Sequence, residues 1–376
     1  MQIRAAVLSR MGMERPYAHT RPLAIETLNL ADPGPGEILV EIRAAGLCHS
    51  DLSVIEGARP RPLPMALGHE AAGIIRKVGE GVENLSIGDH AVLVFVPACG
   101  HCAPCLDGRP ALCEPGAKAN LEGTLLSGAR RLSRSDGSPV NHHLGVSAFA
   151  DHAVVDHRSA VRIDPDLPFT EAALFGCAVI TGVGAAIHAA GIRPGESVAV
   201  VGLGGVGLNA LLGARLAGAD RIIAVDLAQD KLTLARELGA SDTIRADDPD
   251  AAAMIREWTG GGVDRALEMA GSPAALELAW SVTRRGGTTV SAGLPHPDRR
   301  FALAPVQLVG EERTLKGCYL GSCVPARDIP ALVALYRHGR LPVDRLMSRT
   351  LPLDDINAAF DALAEGRVVR QVVTMD

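Results

Sequence analysis

The clearest pattern of hydrophobic and polar positions lies in the second half of the chain. Short apolar runs rich in β-branched residues recur there at the spacing of alternating strands and helices. The first two runs are Ser197–Val201 and Arg221–Asp226, and residues 208–216 between them suit a helix. Continuous apolar runs of this length indicate buried parallel strands. The other predicted elements are strands at 243–245, 263–269, 288–293 and 314–319, and helices at 230–238 and 273–283.

This alternation predicts an α/β fold with a doubly wound parallel sheet of the Rossmann type. The chain has 376 residues, which is more than one hydrophobic core usually fills, so a second domain is expected. We predict that residues 178–320 form the Rossmann domain. Residues 1–177 and 321–376 are predicted to form the second domain from both ends of the chain.

A glycine-rich turn joins the first predicted strand to the first predicted helix. Its residues are Gly202, Gly204, Gly205, Val206 and Gly207, in the pattern G-x-G-x-x-G. At a strand-to-helix turn this pattern brings backbone N–H groups and a helix N-terminus onto a pyrophosphate. Asp226 ends the next strand, where a carboxylate accepts from the ribose of NAD and repels the extra phosphate of NADP. The turn therefore predicts NAD binding, and Lys231 is either a ribose contact or a solvated helix lysine.

Half of the eight cysteines fall within the segment CGHCAPCLDGRPALC. They are Cys99, Cys102, Cys105 and Cys113. Four thiolates in one short loop are typical of a closed, structural zinc site. An iron–sulfur cluster also takes four thiolates, although the proline that follows the last cysteine of the common ferredoxin pattern is absent. Redox-active or inert thiols are the third alternative.

A second candidate metal site has ligands that are scattered along the chain. Cys48, His69 and Cys177 offer two thiolates and an imidazole, and Glu70 adjoins the histidine. Three protein ligands leave a fourth position for water or substrate, as in catalytic zinc sites. Nothing in their spacing joins these residues, so from the residues alone the alternative that each one fills the core stays open.

Taken together, the motifs resemble those of zinc-dependent medium-chain alcohol dehydrogenases, in particular the longer, usually dimeric members. In chain order they are GLCHSD, GHEAAGIIRKVGEGV, GDHAVLVFVPACGHCAPC, GCAVITGVG, VGLGGVG and KGCYLGS. The resemblance implies a mostly β, GroES-like catalytic domain beside the Rossmann domain. It also implies hydride transfer between an alcohol and NAD, two zinc ions per chain and a homodimer.

The same resemblance implies roles for residues around the catalytic zinc, whose ligands would be Cys48, His69 and Cys177. Asp51 resembles the carboxylate that orients the histidine ligand, and Glu70 the acid behind the metal. Ser50 resembles the hydroxyl that hydrogen-bonds the substrate oxygen. Many members carry a histidine where this chain has Ser53, so we expect proton release through water or another base.

Further residues resemble contacts to the cofactor and the substrate. The implied cofactor contacts are His49, Thr181, Val206, Leu294 and Arg370. The implied substrate-pocket residues are Arg59, Phe95, His143, Leu294 and Tyr319. Arg59, His143 and Tyr319 replace residues that are usually aliphatic or otherwise apolar in the family. They favour a substrate with a carboxylate or several hydroxyls, with a surface role as the alternative for Arg59.

Bulk properties restrict the partners and the compartment. The net charge of −6 provides no basic field for nucleic acid or anionic lipid. The N-terminus lacks a signal-peptide pattern, and glycines interrupt the most apolar tract, so we expect a cytoplasmic protein with no membrane partner. The expected partner is a small alcohol or aldehyde.

Two other functions remain open. One is oxidation of formaldehyde–thiol adducts, although that branch carries a basic residue a few positions after the fourth cysteine, where residues 114–117 here have none. The other is a non-enzymatic relative that binds NAD or zinc, which we would expect to have lost Ser50 or a catalytic ligand.

Overall fold

The computed structural model describes residues 1–375, which form two compact units. The first unit contains Met1–Cys177, Val324–Ala334 and the residues from Val343 on, and the second contains Ala178–Cys323 and Leu335–Pro342. The predicted boundaries lay at residues 177 and 320, and no pattern in the sequence indicates that residues 335–342 return to the second unit.

The chain contains short strands and helices, which alternate mainly in the second unit. The strands are β1 (Gln2–Leu8), β2 (Leu23–Leu30), β3 (Glu37–Gly46), β4 (Met65–Ala66), β5 (Ala71–Val78), β6 (His90–Leu93), β7 (Leu132–Ser133), β8 (Pro139–His142), β9 (His152–Asp156), β10 (Ala160–Ile163), β11 (Ser197–Val201), β12 (Arg221–Asp226), β13 (Asp242–Arg245), β14 (Val263–Glu268), β15 (Thr283–Ser291), β16 (Thr314–Gly317), β17 (Met347–Pro352) and β18 (Arg370–Thr374). The α-helices are α1 (Tyr17–Thr20), α2 (His49–Ile55), α3 (Ala103–Leu106), α4 (Glu114–Glu122), α5 (Phe169–Leu174), α6 (Ile180–Gly184), α7 (Gly205–Leu216), α8 (Gln229–Glu237), α9 (Ala251–Trp258), α10 (Pro273–Val282), α11 (Pro305–Gly310), α12 (Pro325–Arg337) and α13 (Ile356–Ala364).

The second unit is built on a parallel sheet, and its strands among residues 1–375 stand in the order β13-β12-β11-β14-β15-β16. This is the strand order of the doubly wound dinucleotide-binding fold, so the predicted fold class is confirmed. The interiors of β11 and β12 are apolar and buried because both faces of such a sheet are covered by helices, whereas β14 also carries Asp264 and Arg265. β15 begins five residues before its predicted start, and a register shift interrupts its pairing with β14.

The first unit is mostly β. Strands β1, β2, β7, β8 and β4 close into a barrel, and β10-β6-β5-β3-β18-β17 form a sheet in which β9 also pairs with β3. The main core of this unit lies under β3 and β5, where Ile38, Val40, Ile42 and Ile75 are at most 1% exposed. This core fixes the loops that follow β3 and β4, and these loops carry the first two candidate metal ligands.

An apolar helical stretch, Phe169–Ala189, contains α5, α6 and two π-helical turns. By length and composition alone it is able to cross a membrane, but 89% of its most apolar window is buried inside the protein, as in the core helix of a globular fold. The π-helical turn Phe175–Val179 carries Cys177. Such turns are frequent at functional sites because the extra residue redirects a side chain.

Candidate active site

Three predicted metal ligands converge in the first unit. Cys48 is the N-cap of α2, His69 lies in the loop between β4 and β5, and Cys177 lies in the π-helical turn. One ligand atom from each lies within 4.8 Å of the other two, and all three residues are buried. A tetrahedral zinc ion with bonds of about 2.0–2.3 Å fits ligand atoms at such separations.

The carboxylate of Asp51 contacts two of these three ligand residues, Cys48 and His69. This carboxylate is fully buried and accepts the backbone N–H groups of Cys48 and Gly68, each at 3.3 Å. Nδ1 of His69 lies 3.0 Å from Oδ1 of Asp51, so the ring proton belongs on Nδ1 and Nε2 is left as a lone-pair donor. This Nε2 atom is enclosed without a hydrogen-bond partner among residues 1–375. An enclosed lone pair beside two thiols fits a metal ion.

The charges at this position favour a cation. Burial alone would raise the pKa of Asp51, but His69 and His143 hold it well below its usual range. Burial alone would lower the pKa of His69, but Asp51 and Cys48 raise it to about 10, so without a metal ion the negative charges would draw a proton onto Nε2, the atom that would otherwise bind the metal. The hydrogen bond from the Cys177 thiol lowers the pKa of Cys48 well below its ordinary value. The same negative charges, those of Asp51 and the Cys48 thiolate, would stabilise a divalent cation at this position.

Glu70 and Arg370 form a buried ion pair in the same unit, with exposed fractions of 0% and 4%. Oε2 of Glu70 and Nε of Arg370 are enclosed and have no hydrogen-bond partner in the described part of the chain. Burial lowers the pKa of Arg370. The sequence suggested a metal-side role for Glu70 and a phosphate contact for Arg370, but it gave no reason to pair residues 300 positions apart.

The four clustered cysteines form a second set in the first unit. One ligand atom from each lies within 4.8 Å of the other three, so the arrangement fits a closed four-thiolate metal site. Backbone N–H groups point at the sulfur atoms, from Cys102 to Cys99 at 3.3 Å and from Cys99 to Cys113 at 3.1 Å. Burial would raise the pKa of Cys99, but the N–H groups of His101 and Cys102 lower it to about 6. No two of the eight cysteines form a disulfide.

Two rings flank the imidazole of His69. Phe95 and His143 meet it edge-on, with ring centroids 5.4 Å and 5.6 Å away. The side chain of Asn120, on α4, donates to the backbone carbonyl of Phe95 at 3.1 Å. Sequence reasoning missed Asn120, and no motif marks it. His143, predicted to line the substrate pocket, is 1% exposed and faces Asp51.

The other predicted residues of the first unit lie on or after α2. Ser50 is half-buried on the first turn, and His49 beside it is exposed. The hydroxyl of Ser53 donates to the carbonyl of His49 at 2.8 Å. Arg59 is half-buried in the turn after the helix, where its backbone N–H donates to the carbonyl of Ser53.

The glycine-rich turn of the second unit has the geometry of a phosphate cradle. Gly202 has φ of +93°, and a Cβ atom at Gly207 would collide with the carbonyl oxygen of Gly202. A Cβ atom at Gly204 would meet no protein atom, so its absence leaves room for a ligand at the N-terminus of α7. The carboxylate of Asp226 accepts the N–H of Leu203, within this turn, at 2.6 Å. These residues fit a dinucleotide.

The remaining predicted contacts of the second unit vary in exposure. Thr181 is 8% exposed on α6, and a Cβ atom at Gly182 would meet the carbonyl of Val206, so α6 packs closely on the start of α7. Lys231 is half-buried on α8. Leu294 and Tyr319 are 48% and 36% exposed.

Comparison with known proteins gives a consistent result over the whole chain. Residues 34–165 match the model of the alcohol dehydrogenase GroES-like domain, and residues 205–337 match that of the zinc-binding dehydrogenase domain. Alcohol dehydrogenase 1 of Pisum sativum is 38% identical over 360 residues, which cover 95% of this chain and 94% of that protein. S-(hydroxymethyl)glutathione dehydrogenase of Paracoccus denitrificans is 35% identical over 384 residues, with 99% and 100% covered.

Solved structures agree. The benzyl alcohol dehydrogenase of Acinetobacter calcoaceticus superimposes with a TM-score of 0.93 at 34% identity, with 100% of both chains covered. An alcohol dehydrogenase zinc-binding domain protein of Burkholderia ambifaria gives 0.94 at 37% identity, with 100% of this chain and 99% of that one covered. The chain therefore belongs to the zinc-dependent medium-chain alcohol dehydrogenases and is an alcohol oxidoreductase.

Proposed function

We propose that this chain oxidises an alcohol to an aldehyde or ketone with NAD as the hydride acceptor, and catalyses the reverse reduction. The observation that carries the proposal is the buried set of Cys48, His69 and Cys177, whose ligand atoms lie within 4.8 Å of one another. Two thiolates and an imidazole fill three positions of a tetrahedral metal and leave the fourth for substrate.

We propose two zinc ions per chain, one in this set and one among the four clustered cysteines. Zinc in the first set supplies a Lewis acid that favours loss of the alcohol proton and, in the reverse direction, polarises a carbonyl group. The four-cysteine set has no open position, so its role is to order its loop.

Ser50 is the group of this chain that would accept the proton of the alcohol. It lies two residues after Cys48 on the first turn of α2 and is half-buried, within reach of both the protein interior and solvent. The next hydroxyl along the helix, that of Ser53, is engaged with the carbonyl of His49 at 2.8 Å. As Ser50 accepts the proton of the alcohol, its own hydroxyl proton would pass to water, so Ser50 remains a neutral hydroxyl.

The direct test measures NADH formation with primary, secondary, aromatic and acidic alcohols, together with zinc content. We expect turnover that chelators abolish, and a Cys177→Ser variant that retains one zinc per chain and loses turnover. Cys318→Ser is the matched control because Cys318 is also a buried thiol but lies outside every candidate ligand set of the described residues. An active Cys177→Ser enzyme, or a wild-type enzyme with both zinc ions and no turnover on any alcohol, would refute the proposal.

The preference for NAD rests on Asp226. Because its carboxylate is fixed beside the glycine turn by the N–H of Leu203, it would meet the phosphate of NADP as a like charge. Asp226→Ser should lower kcat/KM with NAD and raise it with NADP. Asp242→Ser, which removes a carboxylate from the neighbouring strand β13, should leave the ratio unchanged.

A second candidate activity is oxidation of a formaldehyde–thiol adduct. The relative from Paracoccus denitrificans, which carries that activity in its name, matches this chain over its full length. Residues 114–117 here lack a basic residue to hold the adduct carboxylate. Turnover of a mixture of formaldehyde and glutathione that exceeds turnover of every simple alcohol would favour this candidate.

We propose that the substrate is a polar alcohol, since Arg59, half-buried in the turn after α2, supplies a positive charge that suits a carboxylate. Arg59→Ala should then raise KM for an anionic alcohol more than for a neutral one of the same size. Equal effects on the two substrates would assign Arg59 to the surface.

We propose that the enzyme is a cytoplasmic homodimer. Strand β16 is the edge of the parallel sheet, and all four of its residues are exposed. On the adjoining helix α11, Val306 and Val309 are 74% and 81% exposed. An unpaired edge with exposed valines suits pairing with a second copy about a two-fold axis. Val309→Glu should produce monomers in sedimentation, whereas a dimer unchanged by this substitution would place the interface elsewhere.

The proposed compartment is the cytoplasm. None of the eight cysteines is in a disulfide, which supports a reducing compartment.

A further inference from the structure

One oxygen of Asp51 meets two imidazoles. Nδ1 of His69 lies 3.0 Å from Oδ1, and Nδ1 of His143 lies 3.2 Å from the same atom. The two rings stand nearly perpendicular, at 88°, and both are 1% exposed. The carboxylate thus orients the metal ligand His69 on one side and is itself contacted by a second histidine.

Nδ1 of His143 is enclosed and has no hydrogen-bond partner of good geometry among residues 1–375. Oδ1 of Asp51 nevertheless lies 3.2 Å from it, within hydrogen-bond distance. A buried N–H group that loses water needs an acceptor, and this carboxylate oxygen is in position to serve as one after a small rotation of the ring.

The turn that carries His143 is built to hold the ring in place. The backbone N–H of His143 donates to the hydroxyl of Ser147 at 2.8 Å, and its carbonyl accepts the N–H groups of Val146 and Ser147. Leu144 and Ser147 both adopt positive φ angles, 52° and 53°, which non-glycine residues rarely adopt. Strained backbone of this kind persists where the surrounding structure requires it.

We propose that His143 is a positioning residue for the metal ligand His69, acting through Asp51. This inference rests on the proposed zinc site. The other donors to the Asp51 carboxylate are two backbone N–H groups at 3.3 Å, so the histidines supply its two shortest contacts. Without His143, Oδ1 of Asp51 keeps its contact with His69 but loses its second imidazole contact. The orientation of the carboxylate is then less restricted. Partners of this kind behind a metal ligand typically contribute tenfold or more to metal affinity.

The test uses two variants of nearly equal size. His143→Asn places a side-chain N–H group where Nδ1 stood, whereas His143→Leu fills the same volume without a donor. We expect His143→Leu to lose zinc from the catalytic set to a chelator with about tenfold lower affinity, and to shift the visible absorption bands of the cobalt-substituted enzyme. His143→Asn should stay close to wild type in both measurements.

Three outcomes would overturn the inference: wild-type zinc affinity and cobalt spectrum in His143→Leu, equal losses in the Asn and Leu variants, or a loss confined to substrate KM. If His143→Leu does not fold, His143→Gln replaces it, because the longer amide cannot place its N–H group at the Nδ1 position. A wild-type enzyme that binds no zinc at Cys48, His69 and Cys177 would instead refute the proposed function. The two failures are therefore distinguishable.

Discussion

His142 makes the stability of the first unit depend on pH in a way that one substitution can isolate. It ends strand β8, is 1% exposed, and accepts the backbone N–H of Arg131 on Nε2 at 3.0 Å. Its Nδ1 atom is enclosed with no partner in the described residues. Burial lowers the pKa of His142 to about 4, against an ordinary value near 6.5. The native protein therefore holds this ring neutral where the unfolded chain would protonate it.

The sign and size of the effect follow from proton linkage. Between pH values of about 6.5 and 4 the unfolded chain binds one more proton at this position than the native protein, so the free energy of unfolding falls as the pH falls. Each pH unit in that window costs up to about 1.4 kcal/mol, which gives about 1.8 kcal/mol between pH 7 and pH 5. The stability that depends on a neutral His142 is fully present at pH values above the unfolded pKa and is lost as the pH falls towards the native pKa of about 4.

His142→Gln is the appropriate variant because the amide oxygen of glutamine can replace Nε2 as the acceptor for Arg131 and does not titrate. Urea unfolding followed by circular dichroism at pH 7 and pH 5 gives the change in unfolding free energy for each protein. We expect the wild type to lose about 1.8 kcal/mol more than the variant over this interval. Carboxylates and zinc ligands are common to both proteins and cancel in the difference. Equal losses would show that His142 is protonated in the native state, contrary to this reasoning.

Three shorter predictions test other parts of the molecule. Gly207→Ala should weaken NADH binding in a fluorescence titration, because the new Cβ atom collides with the carbonyl of Gly202; unchanged binding would contradict the geometry of the turn. Cys102→Ser should reduce the metal content by one zinc per chain and lower the melting temperature, whereas an unchanged zinc content would exclude the four-cysteine site. Glu37→Gln leaves the partner Arg131 without its carboxylate and should cost about 2 kcal/mol in urea unfolding, less than a fully buried pair because Arg131 is 24% exposed.

The sheet of the second unit could be predicted from the sequence because buried parallel strands are continuous apolar runs. Strand β15 is the exception, because its first half is not an apolar run. β15 begins at Thr283 with the residues TRRGG, which are mainly polar, and only residues from 288 on have the expected pattern. The short strands of the first unit, such as β4 and β7 with two residues each, carry too few positions to show any period.

The candidate ligands of the catalytic metal were implied by the family resemblance and not by their spacing, and no pattern indicated the contacts that support them. Each ligand lies in a local motif, whereas each support joins distant segments. Asn120 binds the carbonyl of Phe95, 25 positions away, and Arg370 pairs with Glu70, 300 positions away. No property of a single sequence indicates which of its polar residues meet across such separations.

The orientation of His69 depends on the packing of three separate segments that meet at the carboxylate of Asp51. The carboxylate is fully buried, and its donors come from the loop after β3, the loop after β4 and the turn after β8. Because a buried charge is tolerated only when its donors are in place, these segments must pack correctly before the carboxylate can orient His69. Phe95, held by Asn120, contacts the same ring by a route that does not include Asp51. The position of His69 is therefore fixed from two directions, and substitutions at His143 and Asn120 should combine non-additively in their effect on zinc affinity, because each removes a constraint on one ring.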